Sequence, residues 1–186
     1  MSLEHAILGF LKYGPFSGYD LKKAFDTSVQ HFWPADQSQI YRTLSRLAER
    51  GWVEIEVVLQ ENRPSRKVYH VTDAGREELR RWLITPLSPD EPRIPWLVQV
   101  FFAGQLTDEE ILTLFERRAE QLRARLERYG QIPQKSAEYV ETVGSPRQAF
   151  FWMLTLDYGV TVNRTMLEWV EGVIERLRRK EHPSDE

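Results

Sequence analysis

The spacing of apolar residues changes twice along the chain. From Leu3 to Tyr13 they fall at Leu3, Ile7, Phe10 and Leu11, one face of a helix, and Gly14-Pro15 stops it. Ser17 stands three residues before Asp20, as an N-cap would, and opens a second stripe at Leu21, Phe25 and Val29 that Trp33-Pro34 closes. Asp36 and Gln39 have capping-box spacing for a third helix. Its buried stripe is Ile40, Leu44, Leu47 and Ala48, and Gly51 is its expected stop. The period then drops to two: Val53, Ile55, Val57 and Leu59 alternate with Glu54, Glu56 and Gln60, as in a half-buried strand. Glu61 to Ser65 supplies a turn, and Arg66 to Thr72 a returning strand through Val68, Tyr69 and Val71. Thr72 can cap a fourth helix carrying Leu79, Trp82 and Leu83. Three helices, two strands and a helix, in that order, predict a winged helix-turn-helix.

Helical spacing returns after a stretch that bars regular structure. Pro86, Pro89, Pro92 and Pro95 cannot continue a helix or a central strand, so 86–95 reads as a linker between units 1–85 and 96–186. Trp96, Leu97, Val100, Phe101 and Phe102 predict a short buried helix from Pro95 to Gly104. Thr107 and Glu110 form a capping box for a helix whose Leu112, Phe115, Ala119, Leu122, Leu126 and Tyr129 make a heptad seam, ended by Gly130. Pro133 to Val143 reads as another short helix. Ser145-Pro146 with Gln148 then opens a last helix running to about Arg179.

That helix has two apolar sides. Ala149, Met153, Leu156, Val160, Asn163, Leu167, Val170, Ile174 and Leu177 form an unbroken heptad seam; Phe151, Leu154, Tyr158, Val162, Met166, Trp169 and Val173 form the other side. Two apolar sides need two partners, the Leu112–Tyr129 helix being one and a second protomer the other. Leu156, Val160, Asn163, Leu167, Val170 and Ile174 are the candidate dimerisation residues, although the seam can equally pair within the chain. Asn163 either sets register and oligomeric state or hydrogen-bonds an interior group. The fold class is mostly α: an α+β winged helix followed by a helical dimerisation domain.

The third helix also carries candidate chemistry. Projected at about 100° per residue, Ser38, Gln39, Arg42, Ser45, Arg46 and Glu49 oppose the buried stripe, with Tyr41 at the boundary. Amide, hydroxyl and guanidinium groups read base edges in the major groove, and a helix N-terminus favours phosphate. Such a face alone can be plain solvated surface. Arg63, Arg66 and Lys67, however, gather at the hairpin tip beside Asn62 and Ser65, where cations can reach phosphates or the neighbouring minor groove. Together these features favour double-stranded DNA as the partner.

Four segments carry a family resemblance, in order and spacing, across nearly all of residues 3–83. Gly18-Tyr19-Asp20-Leu21, then Ile40-Tyr41-Arg42-Thr43-Leu44 with Leu47, Gly51 and Val53, then Arg63-Pro64-Ser65-Arg66-Lys67-Val68-Tyr69, then Thr72-Asp73-Ala74-Gly75-Arg76 with Leu79 resemble the PadR family of transcriptional regulators. Arg42 departs from the pattern, since the family more often has proline there. The resemblance implies a homodimer with two wings on a pseudo-palindromic operator, usually as a repressor. It points to Tyr41 and the start of the third helix for groove and backbone contact, and to Arg63, Arg66 and Lys67 for the wing. Tyr19 matches too, and can equally be a buried packing aromatic. The second half resembles, by length, helix order and pattern, the virulence-activator-type C-terminal region of one PadR subfamily. That implies dimerisation through C-terminal helices and response to a small aromatic or planar effector. Trp96, Phe102, Phe150, Trp152 and Tyr158 can line such a pocket, or serve as ordinary core and interface aromatics.

Charge changes the picture only when divided. Over all 186 residues, 25 basic and 28 acidic residues give −3, which excludes a protein that coats nucleic acid. Residues 1–85 hold 12 basic and 11 acidic residues and the rest 13 and 17, so the acidic excess belongs to the helical half. The chain has no cysteine, and His5, His31, His70 and His182 have no metal-ligand spacing. Phosphate loops, Gly-x-Ser-x-Gly and HExxH are absent, and Asp108-Glu109-Glu110 suits a helix N-terminus. The expectation is therefore no enzyme, no cofactor and no metal. With no basic leader and no apolar run of about 18 residues, a cytoplasmic protein without a membrane partner is expected. Two other readings stand beside the DNA-binding regulator: a winged-helix module that docks protein with the same helix, and a small-molecule binder with incidental DNA affinity.

Overall fold

Ile7, Leu8, Leu21, Ile40, Leu44 and Leu47 lose all contact with solvent and make the core of the first of two units. The computed structural model describes residues 2–60, 63–87, 93–133 and 145–181. The first unit runs α1 (Ser2–Leu11), β1 (Phe16–Ser17), α2 (Gly18–Thr27), α3 (Gln37–Glu49), β2 (Val53–Gln60), β3 (Arg63–Val71) and α4 (Asp73–Ile84). Helix starts follow local chemistry. Ser17 and Asp20 close a capping box on α2, Asp36 and Gln39 another on α3, and the Thr72 hydroxyl accepts the Gly75 N–H at 3.1 Å to start α4. Gly51, with φ +70°, supplies the left-handed turn after α3. The second helix ends at Thr27, short of Trp33-Pro34. Thr27 and Ser28 donate their hydroxyls to carbonyls of the last turn, and Val29 packs on the core from beyond the helix end.

The sheet has the order β1-β3-β2, all antiparallel, with Phe16 opposite Tyr69 and Val53 opposite Val71. Its hairpin corrects two expectations. Arg63, Pro64 and Ser65 belong to β3 rather than to a turn, because pairing continues to Gln60–Arg63 past a register shift. The alternating strand is also not half-buried throughout. Val53 is 3% exposed, but Ile55, Val57 and Leu59 reach 43%, 55% and 86%. Exposure grows toward the tip because only the base of the hairpin, at Val53, Tyr69 and Val71, joins the helical core.

The second unit holds α5 (Pro95–Phe101), a short 3-10 turn (Ala103–Gln105), α6 (Asp108–Gly130) and α7 (Pro146–Arg178). Thr107 and Glu110 form the expected box on α6. α6 and α7 pack antiparallel: Arg178 meets Glu116 at 2.7 Å and Arg123 meets Glu171 at 2.6 Å, while Tyr129 lies against Gly159. The core between them is Phe115, Ala119, Leu122, Val170 and Ile174, flanked by Leu112, Leu167 and Leu177. The seam of α7 therefore meets the seam of α6 within one chain. Asn163 is buried there, donating to the Gly159 carbonyl at 2.7 Å and accepting from Arg125 at 3.4 Å. The helix from Pro95 is not buried as expected: α5 lays Trp96 and Val100 on the core and leaves Phe101 81% exposed. Seven residues give it too little surface to bury every apolar side chain on one neighbour. The helix expected from Pro133 to Val143 lies, past its first residue, outside the described residues. Among those residues no helix is long and apolar enough to cross a membrane.

Candidate nucleic-acid interface

The third helix is held by one face and free on the other. Ile40, Thr43, Leu44 and Leu47 are buried, while Ser38, Gln39, Tyr41, Arg42, Ser45 and Arg46 are exposed. Gln39 is engaged at the start, its amide oxygen accepting the Asp36 N–H at 3.0 Å, so the cap and any base contact draw on one side chain. Arg42 reaches back to the Ser38 carbonyl at 3.4 Å. Leu3, Gln39, Arg42, Thr43, Ser45, Arg46 and Glu49 line an open groove of about 570 Å³ along this face.

Arg46 is shaped by partners that helix periodicity alone does not suggest. Its Nη2 donates to Thr43 Oγ1 at 3.2 Å and its Nε lies 3.7 Å from Glu4 Oε1, while Arg50 meets the other Glu4 oxygen at 3.1 Å. Glu4 is buried on α1. Its signal was present in the sequence: a carboxylate in register with Ile7, Leu8 and Leu11 must find a cation or lose its charge.

Tyr41 closes over the start of α2. A Cβ on Gly18 would lie 2.4 Å from the Tyr41 ring, so the glycine permits this approach. Burial, and then the nearby Tyr41, raise the pKa of the Tyr69 phenol above its ordinary value. Tyr19, by contrast, is 67% exposed, which overturns its reading as a buried packing aromatic.

On the wing, Ser65, Arg66 and Lys67 are exposed, and the side chain of Arg63 lies outside the described residues. Arg66 forms an ion pair with Asp20 Oδ2. That oxygen also accepts the Ser17 hydroxyl at 2.7 Å and the Ser17 N–H at 3.3 Å. The capping residue of α2 thus anchors a wing cation, a contact across 46 positions that spacing cannot reveal.

The aromatic candidates of the second unit do not form one set. Trp96 stands edge-on to Phe115 (5.9 Å) and Trp169 (5.7 Å), with the Arg118 guanidinium 5.1 Å from its ring centre. Phe102 pairs with Phe101 and Phe150 with Phe151, Trp152 is half-buried, and Tyr158 is 70% exposed. Burial, and then Arg125, lower the pKa of the Arg118 guanidinium. Of the candidate dimerisation residues, Leu156, Asn163, Val170 and Ile174 are buried inside the single chain, with Leu167 packed on the same core and Val160 half-buried. The exposed side of α7 is instead the one with Phe151, Leu154, Tyr158, Val162 and Trp169. Among the described residues no three His, Asp or Glu side chains gather to hold a metal.

Comparison with known proteins adds independent findings. The model of the PadR-like transcriptional regulator family matches residues 7–81, and that of the virulence activator alpha C-terminal region matches 92–178. A probable transcriptional regulator of Mycobacterium tuberculosis is 32% identical, covering 97% of this chain and all of its own. The negative transcriptional regulator PadR of Bacillus subtilis is 28% identical over 92% of this chain and 95% of its own. The crystal structure of Bacillus subtilis PadR in complex with operator DNA aligns with a TM-score of 0.80 at 28% identity, covering 95% of this chain and 99% of that one. The same regulator in complex with p-coumaric acid gives 0.72 at 27% identity, covering 95% of both chains. The Vibrio cholerae virulence activator AphA gives 0.74 at 26% identity, covering 96% and 99%.

Proposed function

The chain belongs to the PadR-like family of transcriptional regulators, and from that premise we propose that it is a dimeric repressor, bound to a pseudo-palindromic operator and released by a small aromatic or planar effector. Residues 1–85 read DNA, 86–95 link, and 96–186 dimerise and sense the effector. The observation that carries the DNA reading is the outward face of α3. Its buried stripe fixes the helix on the core while Ser38, Gln39, Arg42 and Arg46 are exposed toward base edges and Tyr41 toward the backbone, with Gln39 and Arg46 already engaged by Asp36 and Glu4 in the free protein. The wing, with Arg63, Ser65, Arg66 and Lys67, meets phosphates beside it. The repressor sign is supported by the relative named as a negative regulator, and the effector class by that regulator's complex with p-coumaric acid. Trp96, already flanked by two rings and a guanidinium, is the candidate best surrounded to meet a planar ligand.

The test is binding to duplex DNA from the protein's own upstream region, followed by anisotropy across salt concentrations. Arg66→Gln with Lys67→Gln is expected to weaken binding to every duplex and to flatten the log-affinity against log-salt slope by about one to two units. Unchanged affinity and slope in that double variant would remove the wing from the interface. Failure of the wild type to bind any duplex at low salt, with a protein partner co-purifying, would replace the reading with a protein-docking winged helix.

A further inference from the structure

The wing cation Arg66 is already occupied in the free protein. Its guanidinium is paired to Asp20, whose Oδ2 is itself held by two hydrogen bonds from Ser17. Asp20 is therefore no wandering surface acid: the capping box of α2 fixes it in place whether or not Arg66 is there. Both partners keep contact with solvent, with side-chain exposures of 46% for Arg66 and 36% for Asp20, so a nucleic-acid phosphate can approach the same guanidinium. A phosphate oxygen and a carboxylate oxygen make the same kind of charge-assisted bond to guanidinium. They compete for its donors, and the one left over repels the other.

Building on the DNA-binding reading, we infer that Asp20 is an intramolecular competitor of DNA phosphate for Arg66. DNA binding exchanges a carboxylate for a phosphate at the wing. Arg66 then carries less than a full cation's share of the affinity, because its charge is already matched before DNA arrives. Among the described residues no carboxylate pairs with Lys67, so no such share is withheld there. The near-neutral balance of residues 1–85 is thus built into the contact surface itself, not only into the count of charges. Arg46, paired with Glu4 on the same unit, is held by a carboxylate in the same way.

Asp20→Asn tests this while keeping an oxygen that can accept from Ser17. An exposed ion pair is weak, so the expected gain is about two- to fivefold in affinity at about 0.1 M salt. It applies to operator and scrambled duplexes alike, and the salt slope steepens by about 0.9. In an Arg66→Gln background the same substitution is expected to change affinity by less than about 1.5-fold, on the same weak-pair scale. Weaker binding by a folded Asp20→Asn would overturn the inference, since Asp20 would then be orienting Arg66 toward DNA. An equal gain in both backgrounds would overturn it too, since Asp20 would be repelling DNA directly. Should Asp20→Asn melt below the assay temperature, Arg66→Gln and Lys67→Gln decide between them: the first must cost less affinity than the second, and a larger cost rejects the competition. Wild type that binds no duplex rejects the DNA reading and this inference together; wild type that binds, with Asp20→Asn unchanged, rejects only this one.

Discussion

Glu4 and His5 are adjacent polar residues inside the apolar stripe of α1, and each is buried against a different helix. Glu4 faces Arg46 and Arg50 on α3. His5 stacks on Trp82 of α4 with ring centres 4.5 Å apart and donates from Nε2 to Glu78 at 3.0 Å. The His5 hydrogen bond lowers the Glu78 pKa most, burial opposes it, and Arg81 lowers it further. A carboxyl whose folded pKa lies below its unfolded value stabilises fully above the unfolded value, about 4.3, and loses that stabilisation as pH falls through the lower folded one. Glu78→Gln is therefore expected to lower stability at pH 7 by about 1 kcal/mol. It should also lose less further stability than wild type between about pH 5 and pH 3. Urea melts across pH check this, and parallel acid slopes for the two proteins would remove Glu78 from the linkage. That a charge lay in the stripe could be read from the sequence; its partners Arg46 and Arg50, 42 and 46 positions away, could not.

At the scale of elements, helix starts are legible from local sequence. Capping boxes at Ser17, Asp36 and Thr107 involve three residues and their own backbone, so spacing suffices to find them. Burial is a different matter. The alternation of β2 announces a strand but not the length of strand that a core covers, and the two-residue β1 pairs with β3 only at Val68 and Tyr69. Val53→Ala, at the covered base, is expected to cost about 1–2 kcal/mol. Leu59→Ser, near the tip, should change stability by less than about 0.5 kcal/mol. Thermal melts of the two variants separate these outcomes; comparable losses would mean that the wing is packed along its whole length. The early end of α2 has a local origin instead, since hydroxyls at Thr27 and Ser28 compete for carbonyls in a way that apolar periodicity does not register.

At the scale of the molecule, the seam of α7 from Asn163 to Leu177 meets α6, Met153 before it stays exposed, and a second apolar side is left over. Phe151, Leu154, Tyr158 and Val162 are exposed along one helix, and large exposed apolar patches mark interaction sites. If that side joins two protomers, Leu154→Glu should convert the dimer to a monomer in sedimentation while leaving the helical circular dichroism intact. Affinity for a two-half-site operator should then fall by roughly tenfold or more, because each reading head would bind alone. A dimer that survives this substitution would move the interface elsewhere.

The order of the helices and of the hairpin strands, the capping boxes, the polar face of α3, the basic wing and the family motifs follow from the sequence, because each depends on residues within a few positions of one another; the two-residue β1 does not. Tertiary structure decided the rest: that the seam of α7 closes on its own α6, that Asn163 bonds a carbonyl one turn back, that the wing stands clear of the core, and that Asp20 and Glu4 hold Arg66 and Arg46. Pairing between residues tens of positions apart is settled by packing and by the need to match buried or preorganised charges. A one-dimensional spacing rule carries no record of either.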